Sequence, residues 1–309
     1  MIIHEGYEDL KLIAPVATLG IFDGVHRGHA ALLDCLIKSA KEANGESVVI
    51  TFSPHPRLVL DQNRSDLSFL TTMEEKIVLL ENSKVDHLVI IEFSKQFSEI
   101  PACDFIKDIL IKKIGTKHLI IGFNHHFGRS GEGDFSTIRR CSEELELKVE
   151  QVQGFHTEEG TISSTLIREA LLKGKLDEAN RWLGYYYSVS GTVMEGRKIG
   201  RTIGFPTANI KPDSPYKLIP CNGVYAVDVH LDGEIYRGML NIGSNPTVNS
   251  DPGFRSIEVH ILNFVNDIYG EKITVIFRKR LRDEIKFDNL EQLTEQMKHD
   301  KLDTLRLLT

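Results

Sequence analysis

An α/β half with a parallel sheet, followed by a mainly β half with a terminal helix, is the fold class this sequence predicts. Three observations carry it. Between residues 16 and 152, short apolar runs alternate with longer amphipathic segments, the rhythm of strands separated by helices. Those apolar runs lack strict alternation, which suits strands covered on both faces of a doubly wound parallel sheet. After Leu183-Gly184 the rhythm changes to closely spaced strand patterns with short turns. The boundary is placed near residue 185, giving domains 1–184 and 185–309.

In the first half the predicted strands are Val16–Phe22, Ser47–Phe52, His87–Phe93, His118–Phe123 and Lys148–Val152. Helical spacing predicts helices over Ala30–Glu42, Met73–Asn82, Ala102–Lys113, Phe135–Leu145 and Ser164–Lys173. Thr72 and Glu75 have capping-box spacing, and Gly174 falls where helices often end. The second half offers strands at Tyr187–Met194, Val224–Leu231, Ile235–Leu240, Ser256–Phe264 and Lys272–Arg278. Asp232-Gly233 is a strong hairpin signal between two of them. A helix follows around Leu290–Lys298, so this half reads as an antiparallel sheet or barrel with a terminal helix.

Composition narrows the function classes. The 309 residues are 41% hydrophobic and 26% charged, an ordinary globular balance with room for two domains. A net charge of −7 argues against a dedicated nucleic-acid binder, so anionic substrates must meet locally placed positive groups. No apolar stretch approaches membrane-spanning length, and the start, Met1-Ile-Ile-His-Glu-Gly, shows no secretory signal. Cys35, Cys103, Cys141 and Cys221 are scattered without a CxxC pair and read as reduced thiols of a cytoplasmic protein. The expected partners are small-molecule substrates, with neither nucleic acid nor membrane, on a monomer or weak homo-oligomer.

The densest chemistry lies in Gly20-Ile-Phe-Asp-Gly-Val-His26-Arg-Gly28-His29, between an apolar run and an amphipathic one. Backbone N–H groups and the positive dipole end of a helix favour anions there, and Gly28 admits a phosphate closely. Such a turn suits nucleotidyl transfer, where charge builds on the attacked phosphate and on departing pyrophosphate. Surface histidines at a helix start, or two ligands of a metal site, are the competing readings; no nearby Cys completes a zinc set. Gly122–Gly131 leaves another strand end and points to the same cleft. Further on, Ile162-Ser-Ser164-Thr165-Leu-Ile-Arg168 opens a helix whose hydroxyls and guanidinium can hold phosphate oxygens, or simply cap it.

In order, these motifs, with Pro54-His55-Pro56 and Gly122-Phe-Asn124 followed by Phe127-Gly128, resemble the adenylyltransferase module of bacterial bifunctional riboflavin kinase/FAD synthetases. The resemblance implies a Rossmann-like nucleotidyltransferase fold that joins the AMP part of ATP to FMN and releases pyrophosphate. It implies that His26, His29, Ser164, Thr165 and Arg168 attend the phosphates, with His26, His29 and Arg168 catalytic. Phe22, Asp23, Gly24 and Gly28 would line the nucleotide site, and His55 and Asn124 the flavin side. Two departures stand out: Leu166 occupies a position where many relatives carry Arg, and His125-His126 replace aromatic-rich residues after Asn124.

The second half carries Gly191-Thr-Val-x-x-Gly196-x-Lys198-x-Gly200-Arg201, a glycine-rich basic segment that can close over phosphates or form a structural turn. Gly204-Phe-Pro206-Thr207-Ala-Asn209 follows; if extended, Thr207 and Asn209 face one way, with oxygens suited to Mg²⁺ or to a polar strand face. In Ile257–Phe264, Glu258 shares a face with His260 and Leu262. A carboxylate so placed needs a partner or a function, and general-base catalysis is one. With Gly223-Val-Tyr225, Asn241-Ile-Gly-x-Asn-Pro-Thr247 and Leu281–Phe287, this half resembles the riboflavin kinase module of the same family. The resemblance implies a six-stranded barrel and ATP and riboflavin as substrates. Thr207 and Asn209 would hold Mg–ATP (Mn²⁺ being the alternative metal), Glu258 would be the base, and Arg282 would lie on a mobile flavin-side segment.

Overall fold

The computed structural model describes residues 1–61, 67–123, 127–143, 145–157, 160–196, 200, 203–244 and 255–308. Two compact units are present, Met1–Ser164 and Thr165–Thr309.

The first unit is built on β1 (Ile2–Glu5), β2 (Val16–Leu19), β3 (Ser47–Ser53), β4 (His87–Glu92), β5 (His118–Gly122) and β6 (Lys148–Val152). They form one sheet in the order β1-β4-β3-β2-β5-β6, with every pair parallel. Strand period explains why both faces are covered. Ala17, Leu19, Val48, Ile50, Val89, Ile91, Leu119 and Ile121 face one core with Phe105, Ile109 and Ile138. Their neighbours Val16, Val49, Leu88, Ile90 and Ile120 face another, packed by Leu32, Leu33 and Leu36 of α1 (Arg27–Glu42). The doubly wound parallel sheet expected from the sequence is therefore present.

The remaining helices of this unit are α2 (Pro56–Leu60), α3 (Met73–Asn82), α4 (Lys95–Ser98), α5 (Ala102–Asp104) and α6 (Phe135–Glu143). At the start of α3 both capping-box bonds form, Glu75 N–H to Thr72 Oγ1 at 3.2 Å and Thr72 N–H to Glu75 Oε2 at 3.0 Å. The single helix expected over Ala102–Lys113 is instead α5 running into a π-helix at Phe105–Ile111. Strand β1 escaped the sequence reading because it is four residues long and lies at the sheet edge, mostly exposed. The four cysteines are not all reduced thiols: α5 and α6 bring Cys103 and Cys141 to a Cα separation of 5.4 Å, joined as a disulfide. Their separation of 38 residues hid this from a spacing argument. A two-stranded ribbon, β7 (His156–Thr157) and β8 (Gly160–Thr161), closes the unit.

The second unit begins in α7 (Ser164–Leu172), ended by Gly174 in left-handed conformation (φ +75°), and α8 (Leu176–Leu183). Six strands follow: β9 (Ser188–Met194), β10 (Ala208–Pro212), β11 (Gly223–Leu231), β12 (Glu234–Ser244), β13 (Arg255–Ile261) and β14 (Lys272–Arg282). They close into an antiparallel barrel in the order β10-β13-β12-β11-β14-β9. Asp232 and Gly233 turn the β11–β12 hairpin with φ of +51° and +81°, the signature of a two-residue I′ turn. Helix α9 (Leu290–Leu307), capped by the Asn289 side chain, packs on the barrel and runs well past Lys298. Strand β10 carries no strand signal in the sequence, being short and ending in proline.

Two candidate active sites

In the first unit the strand order reverses at β2, whose neighbours are β3 and β5. Ligands of open α/β sheets bind beyond the carboxyl ends of strands at such a switch point. The chain leaving β2 makes a tight turn with Phe22, Gly24 and Val25 at φ of +51°, +80° and +35°. The strand therefore stops at Leu19, not Phe22, and α1 starts at Arg27, three residues earlier than expected. Asp23 locks that turn from inside: its buried Oδ1 accepts Leu70 N–H at 2.8 Å and Thr71 N–H at 3.1 Å. From the other side, Ser164 Oγ donates to the Asp23 carbonyl at 2.8 Å.

His26 is the N-cap of α1, its Nδ1 accepting the His29 N–H at 3.3 Å. The two imidazoles stack with centroids 3.8 Å apart. A Cβ at Gly28 would press to 3.1 Å against the His26 ring, so the glycine permits this close stack. With Nδ1 an acceptor, neutral His26 carries its proton on Nε2 and presents a donor. Burial lowers the His26 pKa to about 4. Burial, then the His26 ring and the Lys76 ammonium, hold His29 well below the usual imidazole range. Both rings are uncharged at neutral pH, and His29 Nδ1 has no hydrogen-bond partner among the described residues. His26, Gly28, His29, Gly122, Phe123, Ser163 and Ser164 line one cavity of about 150 Å³, so the ends of β2 and β5 do meet at one cleft. Its neutral donors, helix N-terminus and spare ring nitrogen suit a polyanion.

Other residues singled out by sequence stand apart from that cavity. Phe22 is buried in the core beneath His29, with ring centroids 5.1 Å apart. Asp23 and Gly24 shape the turn without lining the cavity, Gly24 N–H donating to Thr71 Oγ1 at 3.1 Å. His55 caps α2 and stacks on Phe69 at 4.0 Å. Thr165 and Arg168 open α7 in the second unit, Arg168 Nη2 donating to Thr165 Oγ1 at 3.1 Å. Asn124 and His125-His126 lie outside the described residues. Sequence reasoning missed Lys76, which sits buried on α3. It occupies the apolar stripe of Met73, Ile77 and Leu80, and that misplaced charge was the available signal.

In the barrel, Asn209 of β10 pairs with Glu258 of β13, which in turn pairs with Asn241 of β12. Directly opposed residues share a sheet face, so the three polar groups form a row. Thr207, just before β10, donates from Oγ1 to Glu258 Oε2 at 3.4 Å. His260 fixes the segment before it: its Nδ1–H donates to the Pro206 carbonyl at 2.7 Å and its ring meets Phe205 edge-on. Burial lowers the His260 pKa, keeping the ring neutral in that role. A side chain at Gly196 would displace the Asn209 amide, and one at Gly200 would collide with the Phe205 carbonyl. Gly191 instead lets β9 approach the Lys211 carbonyl of β10. Lys198 and Asn245-Pro246-Thr247 lie outside the described residues.

Two cavities meet at Thr207; Glu258 and Asn241 line one of them and Asn209 lines neither. One of about 420 Å³ is lined by Val193, Pro206, Thr207, Ala208, Val259 and the 264–269 segment. The other, about 310 Å³, is lined by Thr207, Asn241, Glu258, Arg282 and apolar Ile203, Met239, Leu240, Ile285, Leu293 and Met297. Thr207 belongs to both. Arg282 is held by Asp300 of α9, Nε to Oδ1 at 3.0 Å and Nη2 to Oδ2 at 2.7 Å, a grip the sequence reading missed. No cluster of three or more His, Cys, Asp or Glu suited to a metal occurs among the described residues. The hard oxygens of Thr207 and Asn209 nevertheless suit a Mg²⁺ that arrives with nucleotide phosphates.

A histidine-lined turn at the switch point of one unit and a barrel with two cavities meeting near a carboxylate in the other fit an enzyme class that transfers phosphorus-containing groups from nucleotides. Known proteins agree. Residues 11–166 match the FAD synthetase family model and residues 183–308 the riboflavin kinase family model. The bifunctional riboflavin kinase/FMN adenylyltransferase of Listeria monocytogenes is 40% identical over 94% of this chain and 92% of its own. That of Escherichia coli K12 is 38% identical over 93% and 90%. A crystal structure from Streptococcus pneumoniae, described as a macrolide-efflux protein, superposes with TM-score 0.88 at 34% identity, covering 98% of both chains. The chain belongs to the bifunctional riboflavin kinase/FMN adenylyltransferase family. No helix among the described residues is long and apolar enough to cross a membrane.

Proposed function

We propose that the barrel phosphorylates riboflavin at the Thr207–Glu258 junction and that the His26–His29 cradle joins AMP from a second ATP to the resulting FMN. The shared position of Thr207 carries the first assignment. Nucleotide occupies the cavity beside β10, with Thr207 and Asn209 holding the Mg²⁺ of Mg–ATP, which neutralises charge on the phosphates. The largely apolar cavity takes the flavin ring system, with Arg282 at its wall. The flavin 5′-hydroxyl then lies beside Glu258, whose carboxylate takes its proton as the hydroxyl oxygen attacks the terminal phosphorus. ADP leaves, and FMN carries the transferred group.

In the cradle, the phosphates of ATP sit against the N-terminus of α1. FMN's phosphate oxygen attacks the α-phosphorus, and the bond to pyrophosphate breaks. The N–H donors of His26, His29 and the helix start stabilise the charge that grows there. Thr165 and Arg168 are assigned to the same ATP by motif position, as are His55 and Asn124 to the flavin side. Small-molecule substrates, a cytoplasmic setting and a monomer or weak homo-oligomer complete the reading.

Chromatography of products tests the division of labour. Glu258→Gln is expected to lower FMN formation by about 10²–10⁴-fold while added FMN is still converted to FAD. His29→Ala is expected to do the reverse. Equal loss of both reactions in either variant refutes the assignment.

A further inference from the structure

The largely apolar cavity of the barrel has a polar corner that the phosphoryl-transfer chemistry leaves unused. Glu258, Asn241 and Glu284 all line that cavity. The strand order sets the first two in a line that starts at the nucleotide side. Asn209 on β10 opposes Glu258 on β13, and Glu258 opposes Asn241 on β12. Directly opposed residues have Cβ atoms about 4.5–5.5 Å apart. Asn241 therefore stands one strand beyond Glu258, on the side away from β10.

Glu284, two residues past the end of β14, completes the corner. Asn222 Nδ2 donates to its Oε2 at 2.9 Å and so fixes the carboxylate. A Cβ at Gly243 would lie 3.1 Å from Asn241 Nδ2 and would collide with Glu284 Oε1. The two polar tips thus share the small space over Gly243, which stays open because that residue is glycine. Among the described residues the Asn241 side chain forms no hydrogen bond, and Glu284 engages only Oε2. Arg282 and Asp300, by contrast, are bonded to each other.

An amide and a carboxylate oxygen without partners, in a wall otherwise built of Met239, Leu240, Ile285 and Met297, are matched to hydroxyl groups. A hydroxyl both donates and accepts, which suits the amide on either atom and the carboxylate as acceptor. A flavin whose 5′-hydroxyl lies beside Glu258 carries further hydroxyls along the chain that leads to its ring. Buried without polar contacts, each of them carries a desolvation penalty.

We propose that Asn241 and Glu284 form a subsite for the hydroxylated chain of the flavin, selecting a polyol between the ring system and the end that is phosphorylated. The inference rests on riboflavin occupying this cavity with its 5′-hydroxyl beside Glu258. Asn241 exchanges hydrogen bonds with a chain hydroxyl through its amide, and Glu284 Oε1 accepts one. Neither residue touches the transferred phosphorus.

The test uses the full chain and reads riboflavin phosphorylation, with FAD formation from FMN as an internal control. Lumiflavin, which keeps the ring system but has a methyl group in place of the chain, serves as a competitive inhibitor. Asn241→Ala and Glu284→Ala are each expected to raise KM for riboflavin roughly three- to tenfold, the effect of losing one hydrogen bond. Inhibition by lumiflavin and FAD formation should stay within about twofold. Gly243→Ala, whose methyl pushes the Glu284 carboxylate aside, should act like Glu284→Ala. Glu284→Gln keeps an acceptor and should retain most of the affinity. A residue that only packs the barrel would weaken riboflavin and lumiflavin alike.

Parallel losses for the two flavins overturn the proposal, as does an unchanged KM for riboflavin in either folded alanine variant. Should Asn241→Ala fail to fold, Glu284→Ala decides alone, because it shortens a side chain on an exposed segment. Glu258→Gln run in parallel separates the two layers. If FMN formation survives that change, the barrel assignment fails; if it falls while the corner variants treat both flavins alike, only the polyol subsite fails.

Discussion

Replacing Asp300 by Asn isolates what the C-terminal helix does for the barrel. Asp300 Oδ1 accepts from Arg282 Nε at 3.0 Å and from Gln296 Nε2 at 2.9 Å, and Oδ2 accepts from Arg282 Nη2 at 2.7 Å. Asn keeps one acceptor and turns the other oxygen into an NH₂ that meets a guanidinium donor head-on. The charge on Arg282 is then uncompensated, with side-chain exposures of 18% for Arg282 and 6% for Asp300. Breaking a buried pair from one side costs about 3–5 kcal/mol, and the residual exposure of the arginine reduces this to about 2–4 kcal/mol. Trp182 supplies the assay, being the only tryptophan of the chain and 3% exposed on α8. Its helix is tied to the barrel by Asn180, which donates to the Phe277 carbonyl at 3.1 Å. Urea unfolding followed by Trp182 fluorescence therefore reports on the second unit. Because Arg282 and Asp300 both line the apolar cavity, KM for riboflavin should rise as well, while FAD formation from FMN is untouched. Arg282→Met combined with Asp300→Leu should recover most of the stability, since an apolar pair of similar volume removes the stranded charge. A midpoint shift worth less than about 0.5 kcal/mol for Asp300→Asn, the scatter of ordinary surface substitutions, refutes the reasoning.

Two further outcomes are expected. An unfolded imidazole binds its proton near pH 6.5 and folded His26 only near 4, so between those values the unfolded chain holds the extra proton. The first unit should lose about 3 kcal/mol through His26 as pH falls through that window, with His29 adding in the same direction; calorimetry on His26→Gln, which has no ring to protonate, should show a flatter profile. Gly196→Ala drives a methyl into the Asn209 amide, so KM for ATP in riboflavin phosphorylation should rise roughly tenfold, with FAD formation unaffected; steady-state kinetics of the two reactions on the same preparation checks it.

Most of the architecture was legible because it follows from local rules. Apolar runs such as Val48-Val49-Ile50 read as strands buried on both faces, and their side chains do divide between two cores. Thr72 with Glu75 marked a helix start and Asp232-Gly233 a hairpin, each through a backbone requirement satisfied within a few residues. The misses share a cause. The extent of β2 was overestimated because Phe22 reads as strand residue, while the tertiary tether at Asp23 holds it left-handed. The Cys103–Cys141 pairing and the π-helix at Phe105–Ile111 depend on how helices pack, which periodicity does not encode. His26, His29 and Glu258 could be selected by residue type and spacing, but the shared position of Thr207 between two cavities needed coordinates.

Lys76 and Asp300 point to a rule that would have improved the sequence reading. Each occupies the stripe of its helix where an apolar side chain is expected: Lys76 beside Met73, Ile77 and Leu80, and Asp300 in register with Leu293, Met297 and Thr304. A charge on a buried stripe costs several kcal/mol unless something opposes it. The opposing group therefore belongs to another element, and the sequence places candidates in reach without pairing them. Asp300 meets Arg282, eighteen residues earlier on β14. Burial lowers the Lys76 pKa, and the Asp23 carboxylate, more than fifty residues earlier, raises it in part. In the barrel a charge out of pattern on a supporting helix thus marks the partner of a residue at the cavity wall. In a chain of net charge −7 such pairing is local: one carboxylate on α9 answers one guanidinium at the end of β14.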